Sequence, residues 1–150
     1  MSREDALLKY TLEAIRERLR TQGDWHVTSH PMYLVQQKRR DYGYDPDLSD
    51  WANIVWIDEE GEEADEEQHK HLETRYRSQL YVSDNWTRTS YQDRWEYVQV
   101  FFTEAAAREY IERNKHNLNE PRVYVDSGYR NPEWQAVRDF LMEGKDEQST

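Results

Sequence analysis

The sequence contains no cysteine in 150 residues. That excludes disulfides, Cys-based zinc sites and thiol nucleophiles. Glycine is scarce, at five residues, and none of it clusters into a loop able to cradle phosphates. No run approaches the ~18 consecutive apolar residues of a membrane-spanning helix. The opening Met-Ser-Arg-Glu-Asp lacks the apolar stretch of a signal peptide. Bases are in deficit, because 20 Lys+Arg face 31 Asp+Glu and the formal charge is −11. What is plentiful is aromatic: six Trp and eleven Tyr do not belong to a disordered acidic chain. The expectation is an acidic, cytoplasmic globular protein with no membrane partner. It should form one domain over residues 1–144 with a frayed tail at 145–150.

Leu8, Leu12, Ile15 and Leu19 recur at spacings of four, three and four, which predicts a first helix. Ser2 is the expected N-cap, Glu4 and Asp5 lie in the first turn, and Gly23 is the stop. The apolar stripe is too short for a sustained coiled-coil seam. A strand is expected over residues 33–42, with Tyr33 and Val35 on one face and Leu34 on the other. A loop over 41–50 holds Gly43, Pro46 and four Asp. The apolar run 53–58 reads as a buried strand.

Residues 58–67 then carry eight carboxylates and no base, supplying −8 of the net −11. The front of this run should be a solvated loop broken at Gly61. Its back should open a helix reaching about Leu80, with Leu72, Tyr76 and Leu80 on one face. Residues 86–91 and 95–102 read as two strands of a hairpin around Gln92-Asp93-Arg94, with one long bent strand as the alternative. In the second run Trp95, Tyr97, Gln99 and Phe101 share a face and Val98, Val100 and Phe102 the other, the mark of a central strand. Thr103 caps the next helix, whose Ala107, Tyr110 and Ile111 face the core. Pro121 precedes a strand at 122–126. Asn131-Pro132-Glu133 opens the last helix, with Trp134, Val137, Phe140 and Leu141 as its apolar face. The order α-β-β-α-β-β-α-β-α lacks strict βα alternation. It predicts an α+β domain with a mixed or mainly antiparallel sheet of about four or five strands and helices on one face. Residues 95–126 can form one crossover unit.

The C-terminal third carries a distinctive wording. Phe101-Phe102-Thr103-Glu104-Ala105-Ala106, then Tyr110-Ile111, then Asn114-Lys115-His116-Asn117, then Pro121-Arg122-Val123-Tyr124-Val125-Asp126-Ser127-Gly128-Tyr129-Arg130-Asn131-Pro132-Glu133-Trp134-Gln135-Ala136-Val137-Arg138 resembles an uncharacterised family of small phage and prophage accessory proteins. The resemblance implies a viral product acting inside a bacterial host, on a host macromolecule or its defences. It implies no catalytic residue.

Four constellations bear on function. His69 and His71 with Glu66 and Glu67 suggest a metal, but residues two apart on a helix point about 200° apart and cannot share one ion. No metal or other cofactor is therefore expected. Asp126-Ser127-Gly128 lacks the second glycine of a nucleophile turn, so Gly128 reads as a turn residue with positive φ. No catalytic residue is assigned, and a small enzyme of unidentified chemistry stays an alternative. The basic–aromatic stretch Lys38, Arg39, Arg40, Tyr42 and Tyr44 has the ingredients of a single-strand nucleic-acid site, against a repulsive net charge. The acidic run is the stronger cue. Asp58, Glu59, Glu60, Glu62, Glu63, Asp65, Glu66 and Glu67, with Trp51 and Trp56 as aromatic anchors, can present a nucleic-acid-like field to a basic groove on a host protein. Such a protein would act by binding and would not itself take nucleic acid.

Overall fold

The structure is a computed structural model and describes residues 10–22 and 29–143. In chain order the elements are α1 (Leu12–Thr21), β1 (Pro31–Tyr44), β2 (Ile54–Ile57), α2 (Glu66–Arg77), β3 (Thr87–Phe101), α3 (Glu104–Asn114), β4 (Arg122–Ser127) and α4 (Pro132–Glu143). Short 3-10 turns lie at Pro46–Leu48, Trp51–Asn53 and Lys115–Asn117. The class is α+β, with a four-stranded antiparallel sheet in the order β2-β3-β1-β4. Since β3 and β4 both run antiparallel to β1, they are parallel to each other and joined through α3, the strand–helix–strand crossover that residues 95–126 suggested. The chain resolves into two compact units. Of the described residues, one takes those up to Lys38 together with those from Trp95 onward, and the other is Arg39–Arg94.

The first unit is built on strict alternation in β1. Pro31, Tyr33, Val35 and Gln37 are buried while the residues between them are partly exposed. Tyr33 and Val35 meet Ala107 of α3, and Val98, Phe101, Tyr110, Ile111, Val123 and Val125 pack around them. Thr103 caps α3 by accepting from the Ala106 N–H at 3.2 Å. Asn131 caps α4 by accepting from the Trp134 N–H at 3.0 Å. α1 lies on α4: Leu19 and Leu141 are buried, and Arg16 Nε donates to the Leu141 carbonyl at 2.8 Å.

Several expectations need correction. Thr11, not Ser2, caps the helix that carries Leu19, and Leu12 is exposed. Ser2, Glu4, Asp5, Leu8, Gly23 and the tail 145–150 lie outside the described residues. The two strands read at 86–91 and 95–102 are one strand, β3. Gln92-Asp93-Arg94 has no glycine to turn on, and its charges are met across the ladder: Asp93 by Arg40 and Arg94 by Asp41, both of β1. β3 is central by virtue of its neighbours, not of burial on both faces, for Trp95 and Tyr97 are exposed. On α4, Val137 and Phe140 are about half exposed, so Leu141 and Trp134 carry the packing; Trp134 stacks on Phe102 with ring centroids 3.9 Å apart. Gly128 does not have positive φ. It is required because a Cβ there would meet Trp134 Cδ1 at 2.6 Å and the His30 carbonyl at 2.7 Å.

The second unit contains the far ends of β1 and β3 together with β2 and α2. β1 continues through the expected loop to Tyr44, with Gly43 at φ +100° and its N–H donating to Thr89 Oγ1 at 2.9 Å. α2 ends at Arg77, short of Leu80, because Gln79 turns left-handed.

Candidate interaction surface

The acidic run is a tight turn followed by a helix start. The Asp58 N–H donates to the Glu62 carbonyl at 3.0 Å and the Ala64 N–H to the Trp56 carbonyl at 2.9 Å, which folds the chain back beside β2. Asp58 Oδ1 accepts from the N–H groups of Glu60 and Glu62, both at 2.9 Å. Gly61 supplies the reversal at φ +84°, a conformation that side chains disfavour. Asp65 caps α2 by accepting from the Gln68 N–H at 2.7 Å, and Glu66 and Glu67 occupy its first turn. Glu66 pairs loosely with Lys70 at 3.6 Å.

Three of the eight carboxylates are therefore occupied structurally. Asp58 and Asp65 hold backbone. Glu63 faces Arg40, whose Nη1 donates to its Oε1 at 3.2 Å and Oε2 at 3.0 Å, and accepts from the Tyr42 hydroxyl at 2.5 Å. Arg40 also forks onto Asp93 through Nε at 2.9 Å and Nη2 at 3.2 Å, and lies 3.6 Å over the Tyr91 ring. The hydrogen bonds to Asp93, then those to Glu63, raise the guanidinium's pKa further against the cost of its burial. Burial pushes the Tyr42 phenol up to about 12, helped by the hydrogen bond to Glu63 and that carboxylate's charge.

Glu59, Glu60, Glu62 and Glu67 are left, exposed and in no ion pair among the described residues. The remainder of Arg39–Arg94 is balanced: outside 58–67 it holds seven acids and seven bases, so the unit's net −8 is the charge of that one segment.

The two aromatic anchors part company. Trp51 is 77% exposed on its 3-10 turn, beside Leu48 at 87%. Trp51 also lines a groove of about 370 Å³ with His69, Lys70 and Arg77 of α2, which brings an apolar surface to the helix that begins with Glu66 and Glu67. Trp56 is 3% exposed and its indole Nε1 donates to Glu73 Oε1 at 2.8 Å, which removes it from any contact surface. Glu73 also takes Arg88 Nε at 2.7 Å, and Arg88 lies 4.2 Å over the Tyr76 ring. Burial opposes the charge on Glu73, but the bonds from Arg88 and Trp56 outweigh it and hold the carboxyl below its ordinary range. The hydrogen bond to Glu73 leads in raising Arg88. Nothing in the sequence singled out Glu73 and Arg88. Glu73 lies 17 residues from Trp56 and 15 from Arg88, and the three meet only once α2 lies against β2.

In the basic stretch, Lys38 pairs with Glu120 at 3.4 Å and Arg40 is engaged as above; Tyr44 is exposed. Arg39 also has an interaction partner. No group of three or more His, Asp or Glu able to hold a metal exists among the described residues, His69 and His71 included. No helix among them is long and apolar enough to cross a membrane. Compared with family models, curated proteins and solved structures, the chain matches none.

Proposed function

We propose that this chain is a binding protein that docks its acidic turn on a basic surface of a host protein, of the kind that otherwise holds nucleic acid. One observation carries the reading. Glu59, Glu60, Glu62 and Glu67 sit unpaired on a backbone pinned by Asp58, Gly61 and Asp65, inside a unit whose other charges cancel. A backbone already fixed adds little ordering cost on binding, and a single-sign patch steers a basic partner at long range. Trp51 and Leu48 supply the exposed apolar contact that charge alone does not give. Action inside a bacterial host follows from the phage-family resemblance and is part of the proposal. The basic stretch supports nucleic-acid binding poorly, because Lys38 and Arg40 already face carboxylates of this chain.

Affinity capture from bacterial lysate tests the reading, with the tagged chain and its Glu59→Gln, Glu60→Gln, Glu62→Gln, Glu67→Gln variant side by side. The expected result is a nucleic-acid-binding protein retained by the first, released by salt and lost by the second. Equal retention by both overturns the acidic turn as the contact.

A further inference from the structure

The free edge of β4 is complementary to itself. β4 pairs with β1 on one side only, in the register Met32↔Asp126, Leu34↔Tyr124, Gln36↔Arg122. Just beyond the ladder Gly128 donates its N–H to the His30 carbonyl at 2.9 Å, so 30↔128 is a hydrogen-bonded pair. Antiparallel pairs alternate between bonded and non-bonded. The bonded pairs are then those of 122, 124 and 126, and the backbone N–H and C=O of Val123 and Val125 point away from β1. Ser127 obeys the same parity: its N–H is not given to β1 but is taken by Asp126 Oδ1 at 2.8 Å. Among the described residues no strand pairs with this outer edge.

We infer that a second copy of the chain pairs there, β4 to β4, about a two-fold axis through Tyr124. This goes beyond the acidic-turn reading and uses the other unit. An antiparallel self-pair centred on Tyr124 sets Val123 opposite Val125 of the second copy, and twice over. Both have their backbone groups turned outward, so the two residues exchange four hydrogen bonds across the axis. Tyr124 meets its own copy as a non-bonded pair, where side chains stand closest. Arg122 stands opposite Asp126 of the second copy, again twice, so both charged ends of the strand are matched. In the single chain Arg122 lies back over the sheet, its Nε donating to Gln36 Oε1 of β1 at 2.9 Å and its guanidinium 3.8 Å over the Trp95 ring of β3, on the face shared with Tyr124 and Asp126; pairing with Asp126 of the second copy draws it from there toward the edge. Val123 and Val125 already pack on the core side, so the paired sheet extends that apolar layer. Pro121 has no N–H to offer and bounds the ladder. An isologous contact of this kind closes at two copies. The opposite edge, β2, has no such symmetry, and its end is occupied by the Ile57↔Glu63 bridge.

Sedimentation equilibrium of the full chain from micromolar to several hundred micromolar tests the inference. A reversible monomer–dimer equilibrium is expected, with twice the 18.3 kDa chain mass at the upper end. Arg122→Glu and Asp126→Arg each place like charges opposite one another and should raise the dissociation constant at least about tenfold, the effect of losing roughly one well-placed charge pair. Mixing the two variants sets opposite charges against each other at both ends of the strand pair, and should restore association as a heterodimer. Tyr124→Lys puts two ammonium groups across the axis and should also give monomer. Circular dichroism and a melt on each variant establish that it is folded. A wild-type chain that stays monomeric throughout overturns the inference. So does a dimer indifferent to all three folded variants, or a mixture that does not recover.

Discussion

Arg40 and Glu63 form a bidentate contact, one guanidinium nitrogen reaching both carboxylate oxygens at 3.2 and 3.0 Å. The contact joins the one triple-basic run in the sequence to the one dense acidic run. Each had invited a functional reading of its own. In the folded chain the two runs share an ion pair, with Asp93 and Tyr42 completing it. The acidic turn is thereby anchored to β1, and the surplus of carboxylates falls on the residues around Glu63.

A double-mutant cycle measures that anchor. Arg40→Ala, Glu63→Gln and the pair together should give a coupling energy of about 1 kcal/mol, the upper range for pairs that are not fully buried. Both side chains are about one-third exposed, which keeps the expected value from being larger. A coupling below about 0.2 kcal/mol would detach the acidic turn from β1 in solution.

The Tyr42 phenol should resist ionisation until about pH 12, against an ordinary 10.0. Ultraviolet difference titration of the chain against Tyr42→Phe reads it directly. Because the folded value is raised, the unfolded chain releases this proton first. The stabilisation is complete below pH 10 and is lost as the pH climbs from there to about 12. Tyr42→Phe should flatten the fall in melting temperature over that alkaline window.

Glu73 has the opposite sign. Its folded-state pKa lies below the ordinary 4.5, so its contribution is present above that value and is lost as the pH falls through the folded-state one. Glu73→Ala leaves the Arg88 charge and the Trp56 N–H without their acceptor. It should cost about 3 kcal/mol, near the low end for a broken buried pair. Denaturant melts at neutral pH and in acid should differ less for the variant than for the parent.

At Gly128 the expected defect is steric. Gly128→Ala drives a methyl into Trp134 and the His30 carbonyl. A loss of about 1–3 kcal/mol is expected, as for other overpacked sites. Because φ is not positive there, Trp134→Leu should recover part of the loss in the double variant. Failure to recover any would place the strain in the His30 backbone instead.

The acidic surface makes the contrary prediction. Glu59→Gln, Glu60→Gln, Glu62→Gln and Glu67→Gln together should leave unfolding cooperative, with stability unchanged within about 0.5 kcal/mol per site or raised as like charges are removed. A non-cooperative melt would assign those four carboxylates to the fold.

Local chemistry alone determined much of this protein. Helix starts were legible at Thr103, at Asn131-Pro132 and behind the acids of 58–67, because a cap is a contact between residues three apart. The alternation of β1 and the Ala107, Tyr110, Ile111 face of α3 were legible for the same reason, since side-chain direction repeats every two or every 3.6 residues. Tertiary structure decided what depends on distant partners. It ran β3 unbroken through three polar residues because β1 supplied counter-ions for the two that are charged. It buried Trp56 and exposed Trp51, five residues apart, because Glu73 on α2 accepts from one and, among the described residues, nothing covers the other. It also took Glu63 and Arg40 out of two separate motifs and set them against each other. Composition counts charges, but only the fold pairs them, and the charges left unpaired define the surface.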